Sequence, residues 1–357
     1  MNTMSAMTTG QRDGSASDVL TDAPPVAMLD VLAARRRIAP WIRRTPCVSS
    51  SWLSDASGGD VRLKLECLQV AHSFKARGAF NAALILRDVR ANDGGAGAAA
   101  GAPRLVTAST GGHGRALSTA ARALGFSCVV FAPANAAATK LAAIRGLGAD
   151  LRADAPNFDE AERRARAFAD DDSQGAAYVS AYNDPRIVAA TGTIALEILE
   201  EDPDIDTLIV PLGGGGLISG VALAAKTVRP EIRIVGVEPE HNAFFHTKRA
   251  RGREAAVTLQ PTLADALAGS TELDSITFPF VERLVDDLVL VSEAEIGAAI
   301  GDLAGHEHLV VEGAGATVAA ALVAKRVDVR GKKVAAIVTG SNIDRARLAT
   351  LLASEQR

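Results

Sequence analysis

His72-Ser73-Phe74-Lys75-Ala76-Arg77-Gly78-Ala79-Phe80-Asn81 lies between two contrasting patterns. Before it, Val61-Arg62-Leu63-Lys64-Leu65-Glu66-Cys67 alternates like a strand. After it, Ala79, Ala82, Ala83 and Leu86 recur at helical spacing. Ser73 is a candidate N-cap, which predicts Lys75 in the first turn of a helix. A lysine there is ordinarily a solvated surface residue, yet the macrodipole at a helix start disfavours its charge. The same field favours the neutral amine, the form a nucleophilic lysine needs.

Short segments at 104–108, 127–131, 148–153 and 178–181 read as parallel strands, with helices at about 114–124, 139–147 and 159–170 between them. A second series follows: a helix at 191–197, a strand at 207–212, a glycine turn and helix, and a strand at 232–237. An irregular stretch, 240–285, precedes a strand at 288–291. Ser292-x-x-Glu295 reads as a capping box, and 334–338 as the last strand. A helical pattern begins at Val26. Residues 1–25 read as a flexible tail, and 92–101 as a low-complexity surface loop. The expected class is α/β.

Composition narrows the function. Of 357 residues, 48% are hydrophobic and only 4% aromatic, with abundant Ala and Gly, which suits tight helix–sheet packing. The net charge of −4 comes from mixed signs with no basic face, so nucleic acid is not an expected partner. Cys47, Cys67 and Cys128 are widely spaced and odd in number. They fit neither a disulfide framework nor zinc ligation, and read as buried thiols. Neither a signal peptide nor a membrane-spanning run is evident, and a cytoplasmic location is expected.

Three glycine-bearing segments end strands. Gly213-Gly214-Gly215-Gly216-Leu217 stands between a strand and a helix, where backbone N–H groups can converge on a phosphate. It has neither the spacing of a dinucleotide fingerprint nor a Walker Lys, and its plainer reading is a tight turn. Ser109-Thr110-Gly111-Gly112-His113-Gly114 offers hydroxyls and helix-start amides to a carboxylate, although a histidine there is more often a core or surface residue. Thr339-Gly340-Ser341-Asn342 closes the last strand, either as a turn or as a site.

Taken with the Lys75 segment, these resemble, in order, the motifs of the fold-type II pyridoxal-phosphate (PLP) enzymes. The resemblance spans roughly residues 30–350 and is nearest the serine/threonine dehydratases and serine racemases. It implies two open, twisted, mostly parallel sheets flanked by helices. A small substrate-closing domain (104–183) would be inserted in a large cofactor-binding one (26–103 and 184–357). By resemblance, Lys75 carries PLP covalently with Phe74 beside it, and Gly213, Gly214, Gly215, Gly216 and the Leu217 amide hold its phosphate. Thr339 meets the ring nitrogen, while Ser109, Thr110, Gly111 and His113 bind substrate. Thr339 is a hydroxyl rather than an aspartate and would leave the ring a weaker electron sink, which favours β-elimination over transamination. Glu312 matches a helix start near the ring.

Two positions depart from the pattern. Where the family carries an asparagine thought to reach the cofactor's phenolic oxygen, this chain has Gly112. The racemase cation site would need an aspartate where Phe244 stands, and phenylalanine cannot ligate a hard cation, so no metal is expected and only Glu238 of that set remains. The implied reaction is dehydration and deamination of a small β-hydroxy amino acid such as L-threonine or L-serine. It would yield a 2-oxo acid and ammonia, in a homodimer or homotetramer. Open alternatives are a specialised dehydratase of hydroxyectoine catabolism, an amino-acid racemase acting with Thr110, and a protein that binds PLP or an amino acid without turnover because of Gly112. A nicotinamide oxidoreductase would need G-x-G-x-x-G with an acidic strand end, and that pair is missing.

Overall fold

The computed structural model describes residues 25–92, 104–171, 173, 175–269 and 271–354. The tail expected over 1–25 falls almost wholly outside these residues, as does the low-complexity loop from 93 onward. From the amino end come α1 (Met28–Ile38), β1 (Cys47–Ser49), α2 (Ser51–Ser57), β2 (Asp60–Lys64) and, after two short 3-10 turns, α3 (Lys75–Asn92). A parallel unit follows: β3 (Arg104–Ala108), α4 (Gly112–Leu124), β4 (Ser127–Pro133), α5 (Ala138–Gly146), β5 (Asp150–Ala155), α6 (Phe158–Asp170) and β6 (Ala176–Tyr178). Next are α7 (Pro185–Glu201), β7 (Thr207–Pro211), α8 (Gly216–Val228) and β8 (Arg233–Pro239), then α9 (Phe244–Arg251), α10 (Thr277–Leu284) and β9 (Asp287–Val291). The chain closes with α11 (Glu293–His306), α12 (Gly313–Val323), β10 (Lys333–Ile337) and α13 (Arg345–Ser354).

Two sheets result. One runs β1-β2-β10-β7-β8-β9, parallel except for β1, which pairs antiparallel with β2; the other runs β5-β4-β3-β6, all parallel. Parallel strands covered on both faces need apolar side chains on both, and β10 shows it. Val334, Ala336 and Val338 pack into the core under α11 and α12, whereas Ala335 and Ile337 pack into the core under α7 and α8. In the four-stranded sheet, Val106 and Ala108 of β3 meet α6 residues, and Leu105 faces the opposite way toward α4.

Several element ends move from their expected places for identifiable reasons. The strand expected through Cys67 stops at Lys64, because Glu66 turns inward to buried charge partners and the backbone follows in a 3-10 turn. The strand expected at 178–181 lies at 176–178 instead. Beyond it, Ser180 folds the chain back by accepting the Asn183 amide at 3.1 Å. Helix α4 starts at Gly112 rather than 114, and Ser292 with Glu295 forms the expected capping box. The stretch 240–285 does contain helices, α9 and α10, joined by an extended loop. Cys47, Cys67 and Cys128 are buried and free.

Beneath the start of α3 lies a charge quartet. Arg77 bonds Glu66 at 2.7 Å and Glu197 of α7 at 2.6 Å, and Lys64 of β2 reaches Glu197 at 2.6 Å. Thr45 and Thr193 add hydrogen bonds to the same groups. Two cations and two carboxylates balance out of water, and they lock α3 to β2 and α7.

Candidate active site

Three parallel strands point their carboxyl ends at one crevice, where ligands of open α/β sheets bind. Phe74, Lys75, Ser109, Thr110, Gly112, His113, Gly213–Gly216, Leu217 and Thr339 all line a cleft of about 1010 Å³, counted to its open mouth. Gly111 does not. It lies behind the loop, against the stem of Lys140, and lines a neighbouring cleft.

Lys75 opens α3, its amide donating to Ser73 Oγ at 3.3 Å. The side chain turns into the cleft, with Nζ 4.8 Å from the centroid of the Phe74 ring. Burial holds its amine below the usual lysine range, against the pull of Glu312. Glu312, the buried cap residue of α12, is pushed up by burial and pulled down by Lys75. Each therefore leans toward its neutral form.

The glycine loop after β7 is built for an anion. Gly215 takes a left-handed φ of 84°, and a Cβ on Gly214 would fall 2.5 Å from the Tyr182 ring, so neither tolerates a side chain. The carbonyls of Gly214 and Gly216 are held by Thr277 and Thr191. Among the described residues no acceptor meets the amides of Gly213, Gly214, Gly215, Gly216 or Leu217. Five acceptor-free N–H groups at the start of α8 match a phosphate. Thr339 Oγ1, in the lining of the same cleft, is buried without a hydrogen-bond partner among the described residues, which leaves it free to meet a ligand atom. On both counts the residues fit PLP.

The loop after β3 works differently from the expectation. Ser109 Oγ does not stand free for a substrate: it accepts the amides of Gly111 at 3.0 Å and Gly114 at 2.9 Å and so caps α4. That leaves the amides of Thr110, Gly112 and His113 without acceptors among the described residues. The His113 ring is buried, with Nε2 3.1 Å from the Val179 carbonyl, which accepts its proton. Burial drives its pKa down to about 4, so its imidazole is neutral and structural. A Cβ on Gly112 would lie 3.7 Å from Lys75 Nζ, in ordinary contact. Glu238 caps α9 by accepting the amides of Phe245 at 2.8 Å and His246 at 2.7 Å. Both carboxylate oxygens are thereby engaged.

The opposite wall carries no motif in the sequence. Tyr182, Phe158 and the loop Asp265-Ala266-Leu267-Ala268-Gly269 face Lys75. Asp265 is bound by Lys140 of α5 at 2.6 Å, which ties that loop to the four-stranded unit. The only local signal was an acidic residue among small ones inside the irregular stretch 240–285.

Comparison with known proteins agrees with this geometry. Residues 38–340 match the family model described as pyridoxal-phosphate dependent enzyme. The chain is 39% identical over 319 residues to the L-threonine ammonia-lyase of Thermotoga maritima, covering 89% of this chain and 76% of that one. It is 35% identical to the catabolic L-threonine dehydratase of Escherichia coli K12, covering 92% and 96%. The structure of maize serine racemase superposes with a TM-score of 0.82 at 31% identity, covering 93% and 99%.

Proposed function

This chain belongs to the pyridoxal-phosphate dependent enzymes, and from that premise we propose that it is an ammonia-lyase. Its substrate would be L-threonine, with L-serine as the smaller relative, converted to a 2-oxo acid and ammonia. The observation that carries the reading is an arrangement. A buried, charge-averse Lys75 shares one cleft with five acceptor-free amides and an unpartnered Thr339 hydroxyl.

Lys75 would hold the cofactor, Gly213–Gly216 and Leu217 its phosphate, and Thr339 Oγ1 its ring nitrogen. When bound, PLP supplies a ring that withdraws electrons from the substrate's Cα. The amides of Thr110, Gly112 and His113 hold the substrate carboxylate, aided by the positive end of α4. Lys75, once free, takes the Cα proton as a neutral amine, which is why its depressed basicity matters. Loss of the β-hydroxyl and hydrolysis of the released enamine complete the balance, one water leaving and one entering. Buried free thiols suit a reducing compartment, in keeping with a cytoplasmic enzyme. Assembly into two or four copies belongs to the same reading and is counted by sedimentation.

The test is turnover of L-threonine with 2-oxo acid and ammonia in equal amounts, repeated on Lys75→Ala. The variant should lose about 10³-fold or more in rate and retain no borohydride-fixed cofactor. An adduct persisting on another lysine, or no 2-oxo acid from either substrate, would falsify the assignment.

A further inference from the structure

Ala71 and His72, just ahead of Ser73-Phe74-Lys75, both sit at φ 59°, a left-handed region that non-glycine residues avoid. Strain of this kind persists only where the surroundings over-determine it. Here the surroundings are the turn after β10. The Ser341 amide donates to the His72 carbonyl at 3.0 Å, the Phe74 amide donates to the Thr339 carbonyl at 3.1 Å, and Ser73 bridges Gly340. Asn342 completes the clamp, its Nδ2 donating to the carbonyls of Ala71 at 3.2 Å and His72 at 3.4 Å.

The other end of the Asn342 amide is held from a different part of the molecule. Its Oδ1 accepts Arg115 Nη1 at 2.6 Å. Arg115 sits in the first turn of α4, its amide bonded to the Gly111 carbonyl at 2.9 Å. Its guanidinium makes no ion pair among the described residues, although burial holds its basicity down against the pull of Glu312. Asn342 is therefore the neutral partner that fixes it. One amide thus connects the helix start that carries the acceptor-free N–H groups to the backbone that aims Lys75.

We propose that Arg115 is a positioning residue for Lys75. Acting through Asn342, it couples occupation of the carboxylate site on α4 to the strained backbone at Ala71 and His72. This rests on the reading of Thr110, Gly112 and His113 as the carboxylate site. When a carboxylate draws in the first turn of α4, Arg115 holds Asn342 against both strained carbonyls, and the lysine is presented in one geometry. Without a carboxylate the clamp is looser.

The test uses the full-length holoenzyme and peptide-level hydrogen exchange, with L-alanine as a carboxylate-bearing probe that lacks a β-hydroxyl. In the wild type, L-alanine should slow exchange both at 110–115 and at 71–75. In Arg115→Met, protection should persist at 110–115 and vanish at 71–75. Arg115→Lys, which keeps a donor, should restore it. The kinetic counterpart is a fall in kcat of roughly tenfold in Arg115→Met with KM changed by less than about threefold, since misaimed groups lose rate before binding. Arg115→Leu, which also lacks a donor, serves the same readouts if the methionine variant does not fold. Protection at 71–75 that survives in Arg115→Met overturns the relay, as does a rise in KM alone. Absence of protection at 110–115 in the wild type overturns the carboxylate reading beneath it.

Discussion

Gly112 shows how much a single position leaves to its neighbours. The sequence marks it as a departure, and the structure shows that the departure leaves room beside Lys75, since a Cβ at this position would lie 3.7 Å from Nζ rather than in collision. Gly112→Asn should therefore fold normally and raise either turnover or cofactor affinity by supplying a side-chain donor. Equal values for both would remove the idea that this glycine weakens the site. Glu238 offers a second residue-scale test. Burial raises its carboxyl from 4.5 to about 7, although the amides of His246 and Phe245 pull the other way. The native state therefore holds this proton more tightly than the unfolded chain does. The resulting stabilisation is complete below about pH 4.5 and is lost as pH rises through about 7, a contribution on the order of 3 kcal/mol at most. Thermal midpoints of wild type and Glu238→Gln, compared between pH 5 and 8, should show the wild type losing ground as pH rises. A constant gap between the two curves would count against this. Chemical residue types were legible here, but orientation was not. Nothing in Ser109-Thr110-Gly111-Gly112-His113 says that Ser109 caps α4 or that the histidine ring turns away to Val179.

At the scale of elements, the quartet of Lys64, Glu66, Arg77 and Glu197 carries the clearest energetic claim. Removing one member of a buried, balanced set leaves an uncompensated charge, at a cost of about 3–5 kcal/mol. Arg77→Met should lower stability by that order, read as a shift in urea midpoint. A change below about 1 kcal/mol would mean that water reaches the cluster. Strands that are largely apolar, such as β7 and β10, could be placed from sequence within a residue or two. The ends of β2 and β6 could not, because long-range partners decide them: Glu66 is drawn to Arg77, and Ser180 folds the chain back. Local propensity carries no information about either. The same limit hid α9 and α10, whose polar and aromatic sequences become helices through capping by Glu238 and burial of Phe245 and Phe278.

For the molecule as a whole, the sequence pointed to the strand ends that line the cleft, because three glycine-bearing motifs each follow a strand. It could not show the wall opposite Lys75. Asp265 and Tyr182 reach the cleft only once both sheets are in place, through contacts such as Lys140 with Asp265. The strand order β1-β2-β10-β7-β8-β9 has a further consequence, one of timing. β10 leaves the ribosome after the other described strands of this sheet, yet its place is between β2 and β7, with Lys75 beyond one neighbour and the glycine loop beyond the other. From the emergence of Pro211 to that of Lys333, at ordinary synthesis rates, on the order of ten seconds pass. Throughout that interval the large sheet has an open slot flanked by bare apolar edges, and Thr339 has not yet taken its place beside Lys75. Until β10 fills that slot the chain exposes apolar surface of the kind chaperones bind, and the cleft that would receive the cofactor is incomplete.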